Sequence, residues 1–177
     1  NGYYYPCMKT MTYKDSGVDI SAANKAVSLM KKHIKSTFNK NVLADSGHFG
    51  GAFSLASLSK MKQPVLISSV DGVGTKMMVA GLAKKWDTVG QCLVNHCCND
   101  ILVVGAKPLF FLDYLACNKL QPRIAEQIVK GVSTACKKHG IPLVAGETAE
   151  MPGVYKKGEY DLAGTIVGVA EKSQMLD

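Results

Sequence analysis

Four short and largely apolar runs constrain this chain more than any other feature. They are PVLISSV (64–70), PLFFLDYLA (108–116), IPLVAG (141–146) and YDLAGTIVGVAE (160–171). Their β-branched and aromatic residues favour strands, and runs this apolar are typical of strands buried within a layered domain. We therefore expect a sheet of about four strands.

The segments between these runs have the helical period. They predict helices over residues 21–37, 75–86, 88–104 and 122–140. Asp19 or Ser21 can cap the first helix, and the last has Pro122 near its start and Gly140 at its end. The order predicts an α/β fold of the α+β type, a mixed sheet with helices on one face. Since the strands are apolar on both faces, we expect a partner subunit or another domain to cover the second face.

Composition sets the class of protein. The chain has 177 residues, 47% hydrophobic and 20% charged, which suits one or one and a half globular domains. No apolar run reaches the roughly 18–20 residues of a membrane span. We interpret residues 1–12 as a loose extension or an expression remnant, since they lack a signal-peptide layout. We therefore expect a cytoplasmic protein whose six cysteines, with no metal-type spacing, are reduced core thiols.

A net charge of +7 raises the question of nucleic-acid binding. The positive residues are nearly all lysines, in doublets scattered along the chain at 31–32, 84–85, 137–138 and 156–157. No interleaving of basic and aromatic residues is present. We expect no nucleic-acid or membrane partner, whereas small anionic substrates remain compatible with the charge.

Several acids occupy special places in the sequence. Asp71 and Glu147 each come directly after a predicted strand, where ligands of α/β sheets gather. Asp100 lies in an apolar stretch of a predicted helix, and a buried carboxylate must pair or bind a cation. Each acid also has a purely structural alternative. Asp71 could cap a turn, Asp100 could form a helix–helix hydrogen bond, and Asp113, within the second predicted strand, could pair with a lysine. Together the acids suggest oxygen ligands for Mg²⁺.

The stretch DGVGTK (71–76) follows the first strand. It lacks the G-x-x-x-x-G-K-[ST] pattern, but Gly72 and Gly74 let backbone N–H groups converge on an anion. Thr75 and Lys76 open the next helix, whose N-terminus attracts negative charge. Asp71 beside bound phosphate makes sense only if a metal bridges them. We interpret the loop as a Mg-nucleotide site, with a simple tight turn as the alternative.

Longer stretches resemble the N-terminal domain of the aminoimidazole ribonucleotide synthetase family, also called phosphoribosylformylglycinamidine cyclo-ligases. The resemblance runs in order from Tyr13 to Ser173. It is carried by YKDSGVDI, SSVDGVGTK, GAKPLFFLDY and GETAEMPGVYKKGEYDLAG. The last two separate this family from selenophosphate synthetase, thiamine-monophosphate kinase and formylglycinamidine synthetase.

This resemblance implies an enzyme of de novo purine biosynthesis. Such an enzyme uses ATP to close formylglycinamidine ribonucleotide into aminoimidazole ribonucleotide. Residues 13–177 would be the ATP-binding and dimerisation half, and a C-terminal domain, absent from this chain, would complete the active cleft. The family's N-terminal domains pair as homodimers, their two sheets closing into a barrel. We therefore expect the fragment to dimerise, to bind MgATP weakly at best and to be inactive alone. The alternatives are another ATP-using enzyme of the superfamily and a non-catalytic dimerisation module.

The resemblance also implies site residues. Asp71, Lys76 and Asp100 would be catalytic. Mg²⁺ would be held by Asp71, Asp100 and Glu147, and the ATP phosphates would be contacted by Gly72, Gly74, Thr75 and Lys76. A flap over the nucleotide would include Lys14, Asp19 and Lys31. Three positions depart from the family: His48 replaces a glycine, Val70 replaces a usual threonine, and Ala145 stands where glycine is usual, which would be strained if φ there were positive.

Overall fold

The computed structural model describes residues 12–13, 15–43 and 50–176. The helices in this part are α1 (Ile20–Lys35), α2 (Lys76–Ala83), α3 (Val89–Leu102) and α4 (Pro122–His139). The strands are β1 (Pro64–Gly72), β2 (Lys107–Cys117), β3 (Leu143–Glu150) and β4 (Tyr160–Glu171). The predicted order of elements is confirmed, and most predicted bounds differ from these by one to three residues. In the described part of the chain, no helix is long and apolar enough to cross a membrane.

The four strands form one mixed sheet in the order β1-β4-β2-β3. β2 and β3 are parallel, whereas β4 is antiparallel to both of its neighbours. As a result β1, β2 and β3 all point the same way, and their carboxyl ends lie at the same edge of the sheet. The predicted mixed sheet is confirmed.

Helices cover one face of this sheet, as predicted. Every second residue of the central strands points at them, and α3 and α4 pack against each other over these strands. Fully buried side chains fill the layer between helices and sheet, among them Phe111, Leu115, Leu162, Ile166, Leu93, Ile128 and Val132. This layer fixes the positions of β1 and α3, the two elements that carry most of the candidate site.

The opposite face of the sheet is only partly open, because a segment of the same chain covers some of the surface that was expected to need a partner subunit or another domain. Phe53, from the segment before β1, packs on Phe110 of β2 with ring centroids 5.2 Å apart. Leu66 and Val70 on the edge strand β1 remain 60% and 70% exposed. A local segment therefore covers the β2 side of this face and leaves the β1 side uncovered.

Helix α2 is shorter than its periodicity suggests. It was predicted to reach Trp86 but ends at Ala83, because Lys84 adopts a left-handed conformation (φ 51°). This turn sends Trp86 into the core, where its ring lies 5.2 Å from that of Tyr160. Tertiary packing of the indole therefore overrides the local helical pattern, and no glycine marks the stop.

Candidate active site

The two acids predicted to begin loops lie inside strands. Asp71 pairs with Gly164 in the β1–β4 ladder, and Glu147 pairs with Tyr114 in the β2–β3 ladder. The prediction that loops begin at these acids was wrong. Both strands continue past the predicted ends because residues of the neighbouring strands pair with them. The acids still lie near the common carboxyl edge of β1 and β3.

Strand register separates Asp71 from Glu147. Asp71, Gly164, Asp113 and Gly146 form one row across the sheet, with Asp71 at one edge strand and Gly146 at the other. With neighbouring strands about 4.8 Å apart, this row spans roughly 14 Å. Glu147 is the next residue along β3 and points to the opposite face from Asp71. One chain therefore does not bring these two carboxylates to a common ion.

Asp100 is exposed, which corrects the expectation that it is a buried charge needing a partner. It lies on the side of α3 that faces β1, and the Ser69 hydroxyl donates a 2.7 Å hydrogen bond to its carboxylate. Ser69 and Asp71 point to the same face of β1, so Asp100 lies close to Asp71. Burial, together with these two carboxylates, raises the pKa of the Cys97 thiol to about 12.

The pair Asp71 and Asp100 fits a hard divalent cation. Asp71 is half-exposed; its Oδ1 accepts a 2.7 Å hydrogen bond from the Gly72 N–H and its Oδ2 lies 3.6 Å from His96 Nδ1. Mg²⁺ commonly takes one or two carboxylates and fills its remaining positions with water and phosphate oxygens. Among the described residues no three His, Cys, Asp or Glu side chains cluster as a metal site. The three-ligand set that includes Glu147 therefore stays a prediction.

Of the two glycines in DGVGTK, one has the positive φ that favours glycine in a tight loop. Gly74 has φ +66°, and a Cβ there would meet nothing within 4 Å. Gly72 belongs to β1 instead, where a Cβ would make only an ordinary contact. Thr75 precedes α2 and makes no side-chain capping bond, so the first N–H groups of that helix are not satisfied by its hydroxyl.

A contact chain that the sequence reading missed runs from the loop to Asp71. Lys76 Nζ donates to Cys92 Sγ at 2.9 Å, and Cys92 Sγ lies 3.8 Å from His96 Nε2. The other ring nitrogen of His96 faces Asp71. The signal that was available is the four-residue spacing of Cys92 and His96 on a helix, which puts both on one face. Their approach to Lys76 and Asp71 depends on tertiary packing alone.

Asp113 lies in a cavity of about 350 Å³ between α1, α4 and β3. Lys31, predicted for the flap, lines the same cavity, but among the described residues these two side chains form no ion pair. Burial raises the pKa of the Asp113 carboxyl to about 7. A side chain at Gly146 would overlap this carboxyl, which explains the glycine at that position.

Replacing Asp113 with asparagine should change how stability depends on pH. The carboxyl keeps its proton up to about pH 7 when folded but ionises near its ordinary 3.8 when unfolded. The folded state thus binds more protons between those values, and the free energy of unfolding falls as pH rises through that window. The full shift corresponds to on the order of 4 kcal/mol. Urea unfolding of Asp113→Asn from pH 4 to 8 should show a much shallower fall than the parent chain shows. Equal slopes for Asp113→Asn and the parent chain would contradict the burial of this charge.

The remaining predicted residues have local explanations or fall outside the structure. Asp19 caps α1, accepting a 3.0 Å hydrogen bond from the Ala22 N–H, as predicted. Lys14 and His48 lie outside the described residues. The conditional strain at Ala145 is absent, because Lys84 is the one non-glycine residue of positive φ in the described chain.

Solved structures of other proteins share the architecture of this chain. A solved thiamine-monophosphate kinase from Stenotrophomonas maltophilia K279a matches with a TM-score of 0.65 at 16% identity, over 86% of this chain and 43% of that one. The hydrogenase maturation protein HypE, solved in complex with ATP, matches with a TM-score of 0.63 at 18% identity, over 92% of this chain and 43% of that one. At such identities these matches establish a shared fold.

The family follows from closer matches. The chain belongs to the family of AIR synthase related proteins, N-terminal domain, whose model matches residues 55–170. Phosphoribosylformylglycinamidine cyclo-ligase of Alkaliphilus oremlandii is 54% identical over 166 residues, which are 94% of this chain and 48% of that protein. The chain thus spans about half the length of the curated relatives it matches.

Proposed function

We propose that this chain is the ATP-binding half of a cytoplasmic phosphoribosylformylglycinamidine cyclo-ligase. The complete enzyme would close formylglycinamidine ribonucleotide into aminoimidazole ribonucleotide during purine biosynthesis. The observation that carries this proposal is the 54% identity to a protein of that name across 94% of the chain. The acids and the glycine loop, all present near one edge of the sheet, support a catalytic role over a purely structural one.

The site residues divide into two groups in this proposal. Lys76 and the backbone after Gly74 would hold the phosphates, because a cation and the positive end of the α2 dipole both favour anions. Asp71 and Asp100 would hold Mg²⁺ between those phosphates and α3. Bound MgATP would supply the phosphoryl group that makes the amide oxygen of the substrate a good leaving group. Glu147 would serve a different ion or act from a second copy of the chain.

Nucleotide affinity tests this assignment, and Gly74→Val is the sharpest variant for it. A β-branched residue at positive φ strains the loop and crowds the space where phosphate would approach. We expect isothermal titration to detect MgATP binding to the parent chain and a loss of at least tenfold in affinity in the variant.

The chain offers a matched control at Gly158. This glycine also has positive φ (+86°) and open space around its Cβ, but it lies in the turn before β4. Gly158→Val imposes the same kind of strain and should keep the affinity of the parent chain. Undiminished binding in Gly74→Val would reduce DGVGTK to a tight turn and remove the loop from the proposed site.

We further propose that two copies pair through the helix-free face of the sheet and close a barrel. The support is the uncovered β1 side of that face, where Leu66 and Val70 are exposed on an edge strand. A two-fold axis lets the same patch cover itself in the partner, which removes apolar surface from water on both copies.

Charged side chains on this patch should break the dimer. Leu66→Glu with Val70→Glu places two like charges on each copy, so the self-complementary contact would bury four unpaired carboxylates. Sedimentation velocity should show the parent chain as a dimer and the double variant as a folded monomer. Leu82→Glu, at an exposed apolar position on α2, is the control and should stay dimeric. A monomeric parent chain would overturn the pairing.

A further inference from the structure

Lys76 and Cys92 form a contact that the proposed nucleotide chemistry does not require. The Lys76 ammonium lies 2.9 Å from Cys92 Sγ, which joins the start of α2 to the first turn of α3. A lysine whose only role is to reach phosphate would gain nothing from a thiol as its resting partner. The contact places a nucleophilic nitrogen directly against a sulfur that can be oxidised.

Cys92 differs from the other cysteines of the described chain. It is partly exposed, whereas Cys97, Cys98, Cys117 and Cys136 are buried. Burial raises the pKa of Cys98 to about 11 and, with the Glu150 carboxylate, that of Cys117 to about 12, so these thiols stay protonated and shielded. Cys92 is therefore the thiol of this set that oxidants can reach, and the Lys76 nitrogen is already in contact with its sulfur.

We propose that Cys92 and Lys76 form a covalent sulfur–nitrogen link, a sulfenamide, when the protein meets hydrogen peroxide. In the first step the Cys92 sulfur attacks peroxide, the O–O bond breaks, and a sulfenic acid and one water form. In the second step the Lys76 ammonium first releases a proton to water; the resulting amine attacks that sulfur, the S–O bond breaks, and a second water leaves with the hydroxyl and one amine proton. The sulfur is oxidised, the peroxide is reduced, and the linked pair has lost two hydrogen atoms.

The geometry favours this product over the other fates of a sulfenic acid. A disulfide needs a second accessible thiol, and the neighbouring cysteines of α3 are buried. Further oxidation to sulfinic acid needs a second peroxide molecule, whereas the lysine nitrogen is already in contact. The long lysine side chain is exposed and can move the remaining distance without moving α2.

The link would also affect the proposed nucleotide site. This consequence, unlike the link itself, rests on the proposed function. It removes the charge of Lys76 and ties its nitrogen to α3, so Lys76 would no longer reach a phosphate. Thiol reductants would cleave the sulfur–nitrogen bond and restore the amine. The site would therefore be switched off reversibly by peroxide.

Mass spectrometry of the peroxide-treated chain tests the link without any nucleotide. A Cys7→Ser background removes the one thiol that lies outside the described residues. We expect most chains to lose two hydrogen atoms and to yield a tryptic species joining the Lys76 and Cys92 peptides, with no cleavage after Lys76. Dithiothreitol should reverse both changes.

Variants separate the link from general oxidation. Lys76→Arg should leave a sulfenic acid on Cys92 that dimedone traps, and Cys92→Ser should abolish the mass loss. Lys85→Arg, which changes a nearby exposed lysine, should keep the link. Sulfinic acid on Cys92 as the main product in the parent chain, or an unreacted Cys92, would overturn the proposal.

Protection by MgATP distinguishes this inference from the proposed function. If Lys76 holds phosphate, saturating MgATP should slow formation of the link several-fold. A link that forms equally fast with and without MgATP would stand as a modification site while contradicting the nucleotide role of Lys76. Failure of the link in a chain that binds MgATP would leave the proposed function intact and refute the modification.

Discussion

Asp71→Asn is expected to lose nearly all affinity for MgATP while the chain stays folded. The amide has the shape of the carboxylate and its oxygen can still accept the hydrogen bond from the Gly72 N–H. What it lacks is the charge that would hold Mg²⁺ beside Asp100. Losing a charged partner costs about 3 kcal/mol, which corresponds to on the order of 100-fold in affinity.

Titration calorimetry with MgATP measures this loss, and circular dichroism confirms folding. Glu126→Gln provides a matched control, since it makes the same chemical change on α4, where Glu126 pairs with Arg123 and Lys32. The control should bind as the parent chain does. An Asp71→Asn chain that binds MgATP with unchanged affinity would remove Asp71 from the site.

Gly90→Ala is expected to destabilise the fold strongly for so small a substitution. Gly90 lies on α3 against α4, and a Cβ there would overlap the backbone of Ile128 and Val132. Gly131 on α4 is equally confined, since its Cβ would overlap the carbonyl of Asp87. Because the obstacles are backbone atoms, the helices must move apart. We expect a loss of about 3 kcal/mol, against the roughly 1 kcal/mol that alanine normally adds to a helix.

Urea unfolding gives the size of this loss. Gly81→Ala on α2 is the matched control, because its Cβ would meet no backbone atom and only the edge of the Trp86 ring, at 3.3 Å. The control should remain within about 1 kcal/mol of the parent chain. Equal stability of Gly90→Ala and the parent chain would show that α3 and α4 are not packed this closely.

Local sequence signals predicted the helices and strands well, but they predicted the structural surroundings of the acidic residues poorly. The apolar runs and helical periods yielded all four strands and four helices of the described chain in order. They failed where partners distant in sequence decide the outcome. Asp71 and Glu147 continue strands because β4 and β2 pair with them, and Asp100 is exposed although it lies in an apolar stretch and bonds to Ser69 of β1.

The sequence by itself determined the fold class, the glycine turn before α2 and the family. Periodicity, turn residues and long motifs are local properties, and they can be read without knowing what packs on what. Tertiary structure alone decided that Asp71 and Asp100 lie together while Glu147 lies on the other side of the sheet. It also brought Cys92 to Lys76, two residues on different helices. The physical reason is register: a shift of one residue along a strand moves a side chain to the opposite face, and only pairing with neighbouring strands sets that register.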